Sequence, residues 1–183
     1  AADYYRRNRE AHARWNPPQA DSMFTQDGQR ERLASSAAAV TAGTLIGWWL
    51  FAPDEPDHAL GQIHLSQIAR APFCNAMLGY SIDAAHEGRG LMREALDAVL
   101  TDAFGPRVGL HRVQANVRPE NTRSLELLER LGFEHEGLAR EYLFIDGAWR
   151  DHVLHELQVD ALMSSRGMLG DAALKPRLAD RRA

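Results

Sequence analysis

The sequence predicts an α/β (α+β) fold, in which one mixed sheet carries helices on its faces. Two helix-favouring segments come first, short β-branched and aromatic runs follow, and the chain then alternates strand, helix, strand, helix and strand candidates. The strongest helical periodicity lies between two strand candidates. Those two strands should therefore be parallel neighbours joined by a crossover helix.

The first half of the chain predicts two helices followed by antiparallel strands. Residues 3–15 and about 22–42 are rich in Ala, Arg, Glu and Gln, and an Asn-Pro-Pro turn separates them. Residues 45–51 and 61–68 are strand candidates on either side of a turn cluster, which predicts an antiparallel hairpin. Residues 75–83 follow as a third strand candidate.

The middle of the chain predicts the crossover. Residues 88–104 repeat apolar side chains at helical spacing, which is the strongest helix signal in the sequence. Residues 113–117 alternate apolar and polar side chains, as in a strand with one buried face. Residues 125–131 then predict a short helix that ends at Gly132.

A hairpin is predicted near the end of the chain. Residues 141–145 and 149–159 flank Asp146 and Gly147, a pair suited to the positive backbone angles of a type I′ turn. We assign residues 1–160 to one folded domain. Residues 161–183, which mix Gly, Pro, Arg and Lys with weak periodicity, are expected to form a flexible extension.

Composition restricts the classes of function. The chain has 183 residues, 45% apolar and 25% charged, enough for one domain with a substantial core. A net charge of -4 argues against a surface built to neutralise nucleic acid. Cys74 is the single cysteine, so no internal disulfide is expected and a reducing, cytoplasmic compartment is favoured. No apolar run is long enough for a membrane span, and no His-Glu-x-x-His element suggests a metal site.

The start of the strongest helix carries a candidate phosphate site. Gly88 and Gly90 come just after a strand and open the helix, whose first-turn N–H groups lack helical partners and attract phosphate oxygens. Arg89 and Arg93 add positive charge there. The two glycines are equally compatible with a loop before an ordinary helix. A dinucleotide fingerprint and a P-loop are both excluded by the residues present.

The sequence resembles the GNAT superfamily of acetyltransferases, and within it the RimJ/RimL type that acetylates protein N-termini. Residues 3–15 are similar to the first helix of that family. The resemblance is carried mainly by five ordered blocks, which are residues 78–82, 88–96, 121–124, 131–134 and 146–152.

The resemblance implies a mostly antiparallel mixed sheet whose two central parallel strands splay apart around acetyl-CoA. Related proteins usually have a strand before the first helix, so we expect either that this sequence begins after that strand or that the sheet lacks it. A homodimer is compatible with the family, as is a monomer. The cofactor-binding residues implied are Tyr80, Ser81 and Ile82 beside the pantetheine arm, Gly88, Arg89, Gly90, Leu91, Met92 and Arg93 at the pyrophosphate, and Asn121 and Ser124 near the thioester.

Four residues depart from the family pattern. Glu87 stands where Gln or Arg is common, so it should point away from the phosphate. Met92 replaces a small residue, which should make access to the turn tighter. Leu128 replaces a Tyr that often protonates the departing thiolate, which makes Ser124 the better donor. Met77 replaces a frequent Glu general base.

The absence of the usual Glu general base affects which acceptor amine is expected. An α-amino group with a pKa of about 7.7 to 8.0 is roughly one-tenth neutral at pH 7, whereas a lysine is almost wholly charged. We therefore favour an N-terminal α-amine over a lysine, and the resemblance implies that it belongs to a ribosomal or other protein that begins with Ala or Ser. A small amine is an alternative substrate, and a non-catalytic acyl-CoA- or ribosome-binding module is an alternative function.

The catalytic residues predicted are Ser124, Glu141 and Asn121. Glu141 is preferred over Asp83 as the group that receives the amine proton. The competing interpretations are that Glu141 forms a surface ion pair with Arg140 or Arg150, and that Asn121 caps its helix.

Overall fold

The computed structural model describes residues 1–165. The helices are α1 (Ala2–Arg7), α2 (Arg9–Ala13), α3 (Gln26–Thr41), α4 (Leu91–Phe104), α5 (Thr122–Arg130) and α6 (Val159–Ser165). The strands are β1 (Ile46–Ala52), β2 (Glu55–Ala69), β3 (Asn75–Ile82), β4 (Arg112–Val117), β5 (Glu134–Ile145) and β6 (Ala148–Gln158). Short 3₁₀ turns occupy Asp21–Phe24 and Ala84–His86.

The six strands form one sheet in the order β1-β2-β3-β4-β6-β5. Every neighbouring pair is antiparallel except β3 and β4, which are parallel and are joined through α4. The predicted mixed sheet and its crossover helix are therefore confirmed.

The two faces of the sheet carry different helices. On the face that we call the α4 face, Leu65, Leu78 and Val113 form the main core with α4, α5 and α6. We call the opposite face the α1 face. There Tyr4 and Tyr5 of α1 form a smaller apolar cluster with Phe24 of the 3₁₀ turn at Asp21–Phe24. Because side chains alternate along a strand, sequence parity decides which face each strand residue occupies.

The helix predicted over residues 3–15 is divided at Asn8. The Asn8 side chain is buried, where it donates to the Tyr4 carbonyl at 2.9 Å and accepts from the Ala84 N–H at 2.8 Å. An asparagine that bonds to backbone groups in this way competes with helix continuation. The second predicted helix likewise begins as a separate 3₁₀ turn, and α3 starts after Thr25, whose hydroxyl caps the Gly28 N–H at 3.1 Å.

Strand β5 begins seven residues before the predicted start. Residues 134–140 are mostly polar and exposed on the edge strand, so they lack the alternation on which a strand prediction depends. The turn after β5 agrees with the prediction, because Asp146 and Gly147 both have positive φ values, of 51° and 70°.

The folded part of the chain continues past residue 160, where we expected the extension to begin. Helix α6 starts at Val159 and buries Leu162 and Met163 in the main core. The rest of the predicted extension, residues 166–183, lies outside the described residues.

Asp83, at the end of β3, anchors the first helix to the sheet. Its buried carboxylate accepts from Arg7 Nε at 3.0 Å and Nη2 at 2.7 Å, from Asn8 Nδ2 at 3.3 Å and from the Ala85 N–H at 3.0 Å. Burial by itself raises the pKa of Asp83, but these bonds and the Arg7 charge outweigh burial and lower it. The ion pair therefore holds α1 against the residues that lead into α4.

We expect Asp83→Asn to lower the free energy of unfolding by about 3 kcal/mol, because Arg7 would lose its buried partner. Asp21→Asn is the matched control, since Asp21 pairs with Arg9 at the surface, and it should change stability by at most about 0.5 kcal/mol. Denaturant titration of both variants measures the difference. Equal effects of the two substitutions would contradict the anchoring role.

The same pair should make stability depend on acid pH. The pKa of Asp83 is lower in the folded state than in the unfolded state. Its contribution to the free energy of unfolding is therefore fully present above the ordinary carboxyl pKa of about 4, and it is lost as the pH falls through the folded-state pKa. The stability difference between wild type and Asp83→Asn should therefore shrink below about pH 4.

Candidate active site

A gap opens in the middle of the sheet between its two parallel strands. Strands β3 and β4 pair only at three positions, Asn75 with Arg112, Ala76 with Val113 and Met77 with Gln114. Beyond Met77, β3 stays paired to β2 as far as Ile82, and β4 stays paired to β6 as far as Val117. The inner edges of both strands therefore present backbone donors and acceptors that do not bond across the gap.

The gap fits the arm of acetyl-CoA. A pantetheine chain carries amide groups, which can pair with the free edge of a strand as another strand would. Tyr80, Ser81 and Ile82 lie along this edge. The Ser81 hydroxyl bonds to Tyr4 Oη at 2.8 Å, so only its backbone is directed to the gap.

The predicted phosphate turn lies beyond the end of β3. Gly88 and Gly90 have φ values of +74° and +79°, and a Cβ at either position would meet nothing within 4 Å. Gly90 is the N-cap of the 14-residue helix α4 and supplies no side-chain cap. The first-turn N–H groups, those of Leu91, Met92 and Arg93, are therefore available to an anion beside an open approach.

The neighbours of the turn also suit an anion. Arg89 and Arg93 are exposed. Glu87, expected to point away, forms an ion pair with Arg123 of α5, which offsets its charge. Met92 is buried against Gly61, and its expected effect on access to the turn stays a prediction.

Asn121 and Ser124 lie at the start of α5 on the α4 face. Asn121 Oδ1 accepts from the Ser124 N–H at 3.3 Å, so the capping interpretation of Asn121 is confirmed. The Ser124 hydroxyl lies 2.5 Å from Tyr80 Oη, and this contact links α5 to β3. Leu128 is fully buried in the core, which leaves Ser124 as the hydroxyl of α5 beside Tyr80.

The Tyr80 hydroxyl is the partner of the Ser124 hydroxyl, and either of the two can donate in this bond. Burial raises the pKa of Tyr80 to about 12, although the bond to Ser124 opposes that increase. Tyr80 therefore keeps its proton at neutral pH. When Tyr80 donates, the Ser124 proton is free to point to another acceptor, such as a departing thiolate.

The two carboxylates considered as proton acceptors occupy different settings. Asp83 is committed to Arg7 and has a lowered pKa, which makes it a poor base. Glu141 is exposed at a bulge of β5, with φ +48° and its N–H bonded to Asp151 Oδ1 at 2.8 Å. Within residues 1–165 Glu141 forms no ion pair, so the interpretation as a partner of Arg140 or Arg150 is wrong. Its catalytic role stays a prediction.

A groove on the α1 face was not predicted from the sequence. It has a volume of about 280 Å³ and runs between α2 with the residues after it and the β5–β6 turn. It is lined by Arg9, His12, Ala13, Asn16, Pro17, Pro18, Gln19, Phe24, Asp146 and Gly147.

Both strands of the gap are tied to this part of the chain. His12 Nε2 bonds to the Ile82 carbonyl of β3 at 2.9 Å, and Arg118, just after β4, donates to the Arg14 carbonyl. Only the tertiary fold brings these segments together, and no local sequence pattern reveals them.

No cluster of three or more His, Cys, Asp or Glu side chains that could hold a metal ion occurs among residues 1–165. In the same described part of the chain, no helix is both long and apolar enough to cross a membrane.

Comparisons with known proteins agree with the resemblance to acetyltransferases. Residues 1–134 match the family model described as acetyltransferase (GNAT) domain. The [ribosomal protein uS5]-alanine N-acetyltransferase of Escherichia coli K12 is 42% identical over 157 residues, which cover 85% of this chain and 79% of that protein.

Two solved structures are similar over most of their length. The ribosomal-protein-S5-alanine acetyltransferase of Vibrio fischeri superimposes with a TM-score of 0.82 at 33% identity, covering 87% of this chain and 86% of that one. RimJ of Mycobacterium smegmatis, in complex with CoA-disulfide, superimposes with a TM-score of 0.81 at 25% identity, covering 91% and 83%.

We expect Gly90→Asp to weaken acetyl-CoA binding at least about tenfold, because a carboxylate would lie against the phosphate position. Isothermal titration measures the dissociation constant. Gly109→Asp is the matched control, since Gly109 also has a positive φ, of +70°, and open space at its Cβ, but follows the other end of α4. Comparable weakening in both variants would indicate backbone strain and would contradict the phosphate assignment.

Proposed function

This chain belongs to the GNAT acetyltransferase family, and on that premise we propose that it acetylates the N-terminal α-amine of a protein that begins with Ala or Ser. Acetyl-CoA is the donor and supplies a thioester-activated acetyl group. A ribosomal protein is the acceptor that we favour. The proposal rests chiefly on the 42% identity to a ribosomal-protein alanine N-acetyltransferase over most of both chains.

The groove on the α1 face supports a peptide acceptor. The pyrophosphate turn and Ser124 belong to the α4 face, so the donor arm reaches the gap from that side. The acceptor amine then approaches from the α1 face. The groove on that face is lined in part by His12, whose ring bonds to the Ile82 carbonyl at the end of β3 beside the gap. Tyr142 and Trp149 are exposed on the β5–β6 hairpin, as expected of residues that contact a peptide rather than the core.

In the mechanism we assign a separate task to each part of the site. The amides and arginines from Gly88 to Arg93 hold the pyrophosphate, and the free edge from Tyr80 to Ile82 orients the arm. Asn121 fixes the first turn of α5, so that Ser124 Oγ stays beside Tyr80 and is available to protonate sulfur. Cytoplasmic location and oligomeric state stay predictions.

Release of free CoA tests the proposed acceptor. We expect turnover with an Ala-starting peptide, little with the same peptide after N-terminal blocking, and little with polyamines or free amino acids. Blocking the lysines of the Ala peptide should leave turnover intact, because the lysine amines are almost wholly charged. Preferred turnover of a small amine would contradict the peptide proposal, and acetyl-CoA binding without turnover of any amine would indicate a binding module.

Ser124→Ala should lower kcat on the order of 10²-fold while changing the acetyl-CoA dissociation constant little, because loss of a general acid acts on the chemical step. Tyr80→Phe should lower kcat less, since the serine hydroxyl remains but loses its orienting partner. Ser35→Ala is the control, because that hydroxyl bonds to the Arg32 carbonyl on the exposed side of α3. Equal losses of kcat and affinity in Ser124→Ala would instead assign Ser124 a binding role.

A further inference from the structure

One histidine lies at the entrance to the gap on the side from which the acceptor approaches. His64 is on β2 and is in register with Gly79 of β3. Both residues belong to the α1 face by strand parity, because His64 alternates with the core residues Ile63 and Leu65. Gly79 lies two residues beyond Met77, the last residue of β3 that pairs with β4. His64 is therefore beside the point where the strands separate.

The imidazole reaches across Gly79 towards the gap. A Cβ built on Gly79 would lie 2.4 Å from both Cε1 and Nε2 of His64, so the tip of the ring occupies the space that any other residue at position 79 would fill. The glycine is needed here for close approach rather than for its backbone angles. Nε2 of the ring thus lies over β3.

The other side of the entrance is also polar. Asn116 of β4 projects to the α1 face, and its Nδ2 donates to Tyr142 Oη at 2.8 Å. Met77 faces the same side and has no group that can accept a proton. The entrance is therefore formed by His64 over Gly79 on one side and by Asn116 with Tyr142 on the other.

The surroundings keep His64 neutral. Burial lowers its pKa, and the positive charge of Arg32 on α3 lowers it further. The nearest residues on the same face of β1 and β3 carry no charge, and they are Gly47, Trp49, Met77 and Ser81. Within residues 1–165 its ring nitrogens form no hydrogen bond and no ion pair, so a neutral imidazole with an open nitrogen faces the entrance.

We propose that His64 is the general base that accepts the proton of the acceptor amine. This proposal rests on the proposed function, because it requires an amine that arrives from the α1 face. The bond between amine nitrogen and acetyl carbon forms, and the bond between that carbon and sulfur breaks. The amine proton passes to a ring nitrogen of His64, and sulfur takes a proton from Ser124. Ser124 recovers a proton from water, and His64 returns its proton to the same solvent, so that both residues end as they began.

The test compares His64→Gln with His111→Gln, a substitution at an exposed histidine outside the candidate site, using whichever amine the wild-type enzyme acetylates. We expect His64→Gln to lower kcat on the order of 10²-fold with an unchanged acetyl-CoA dissociation constant, and His111→Gln to have little effect. Activity kept in His64→Gln, with a large loss in Glu141→Gln, would overturn the proposal in favour of Glu141. Because the acceptor is chosen by the wild-type assay, a wrong peptide assignment does not affect this comparison.

The pH dependence separates a base from a structural residue. With an α-amine acceptor, log kcat/KM should fall with slope one below the amine pKa of about 8 and with slope two below the His64 pKa, which lies under the ordinary value of about 6.5. His64→Gln should keep slope one throughout. A slope of two that persists in His64→Gln would overturn the proposal.

A second variant tests the geometry without removing the imidazole. Gly79→Ala places a methyl group in the position of the ring tip, so it should displace His64 and lower kcat. If Gly79 acts through His64, the double variant should be no slower than His64→Gln. If the losses of kcat in the two single variants add up in the double variant, Gly79 does not act through His64. His64→Asn replaces His64→Gln in all comparisons if the glutamine variant does not fold.

Discussion

The separation of β3 from β4 is the constraint on which the site depends. Each strand is held by its outer neighbour, β2 or β6, along its full length, yet the two bond to each other at only three positions. Backbone groups inside a protein need partners, and a gap in a sheet leaves them on both edges. An extended ligand with amide groups supplies such partners. On the proposed function, the fold therefore defines both the path of the donor arm and the two sides from which the reactants approach.

Glycines mark the places where something must come close to the main chain. Gly79 admits the His64 ring at the entrance to the gap, and Gly88 and Gly90 leave open space at the turn before α4. The physical reasons differ. At Gly88 and Gly90 the positive φ values are themselves required by the turn, whereas at Gly79 the missing side chain is what matters.

The sequence predicted the parts of the fold that leave a local signal. Alternation identified β4, helical spacing identified α4, and Asp146 with Gly147 identified the final turn. The first half of β5 was missed because an exposed edge strand needs no apolar face, and the break at Asn8 was missed because its partners are 4 and 76 residues away. Local propensity carries no information about the bond to Ala84, which lies 76 residues away.

The site was predictable in the same uneven way. The glycines and arginines from Gly88 to Arg93 predicted a phosphate turn, and the resemblance pointed to Ser124 and Asn121; the functions of these residues stay predictions. His64 gave no signal, because its importance arises from the register of β2 with β3 and from a glycine on another strand. Asp83 was considered as a base from the sequence, but its Oδ2 accepts from Arg7 of α1, 76 residues earlier in the chain, and its Oδ1 accepts from the Ala85 N–H.

The pair formed by Asp83 and Arg7 lies between the two parts of the candidate site. Its carboxylate caps the short turn that leads to α4, and its guanidinium belongs to α1, the helix before the one that lines the groove. On the proposed function, a ligand in the groove that pressed these helices against the sheet would also stabilise the turn before α4. Thermodynamic reciprocity would then require that whatever factor the acceptor adds to the affinity of the donor, the donor returns to the affinity of the acceptor.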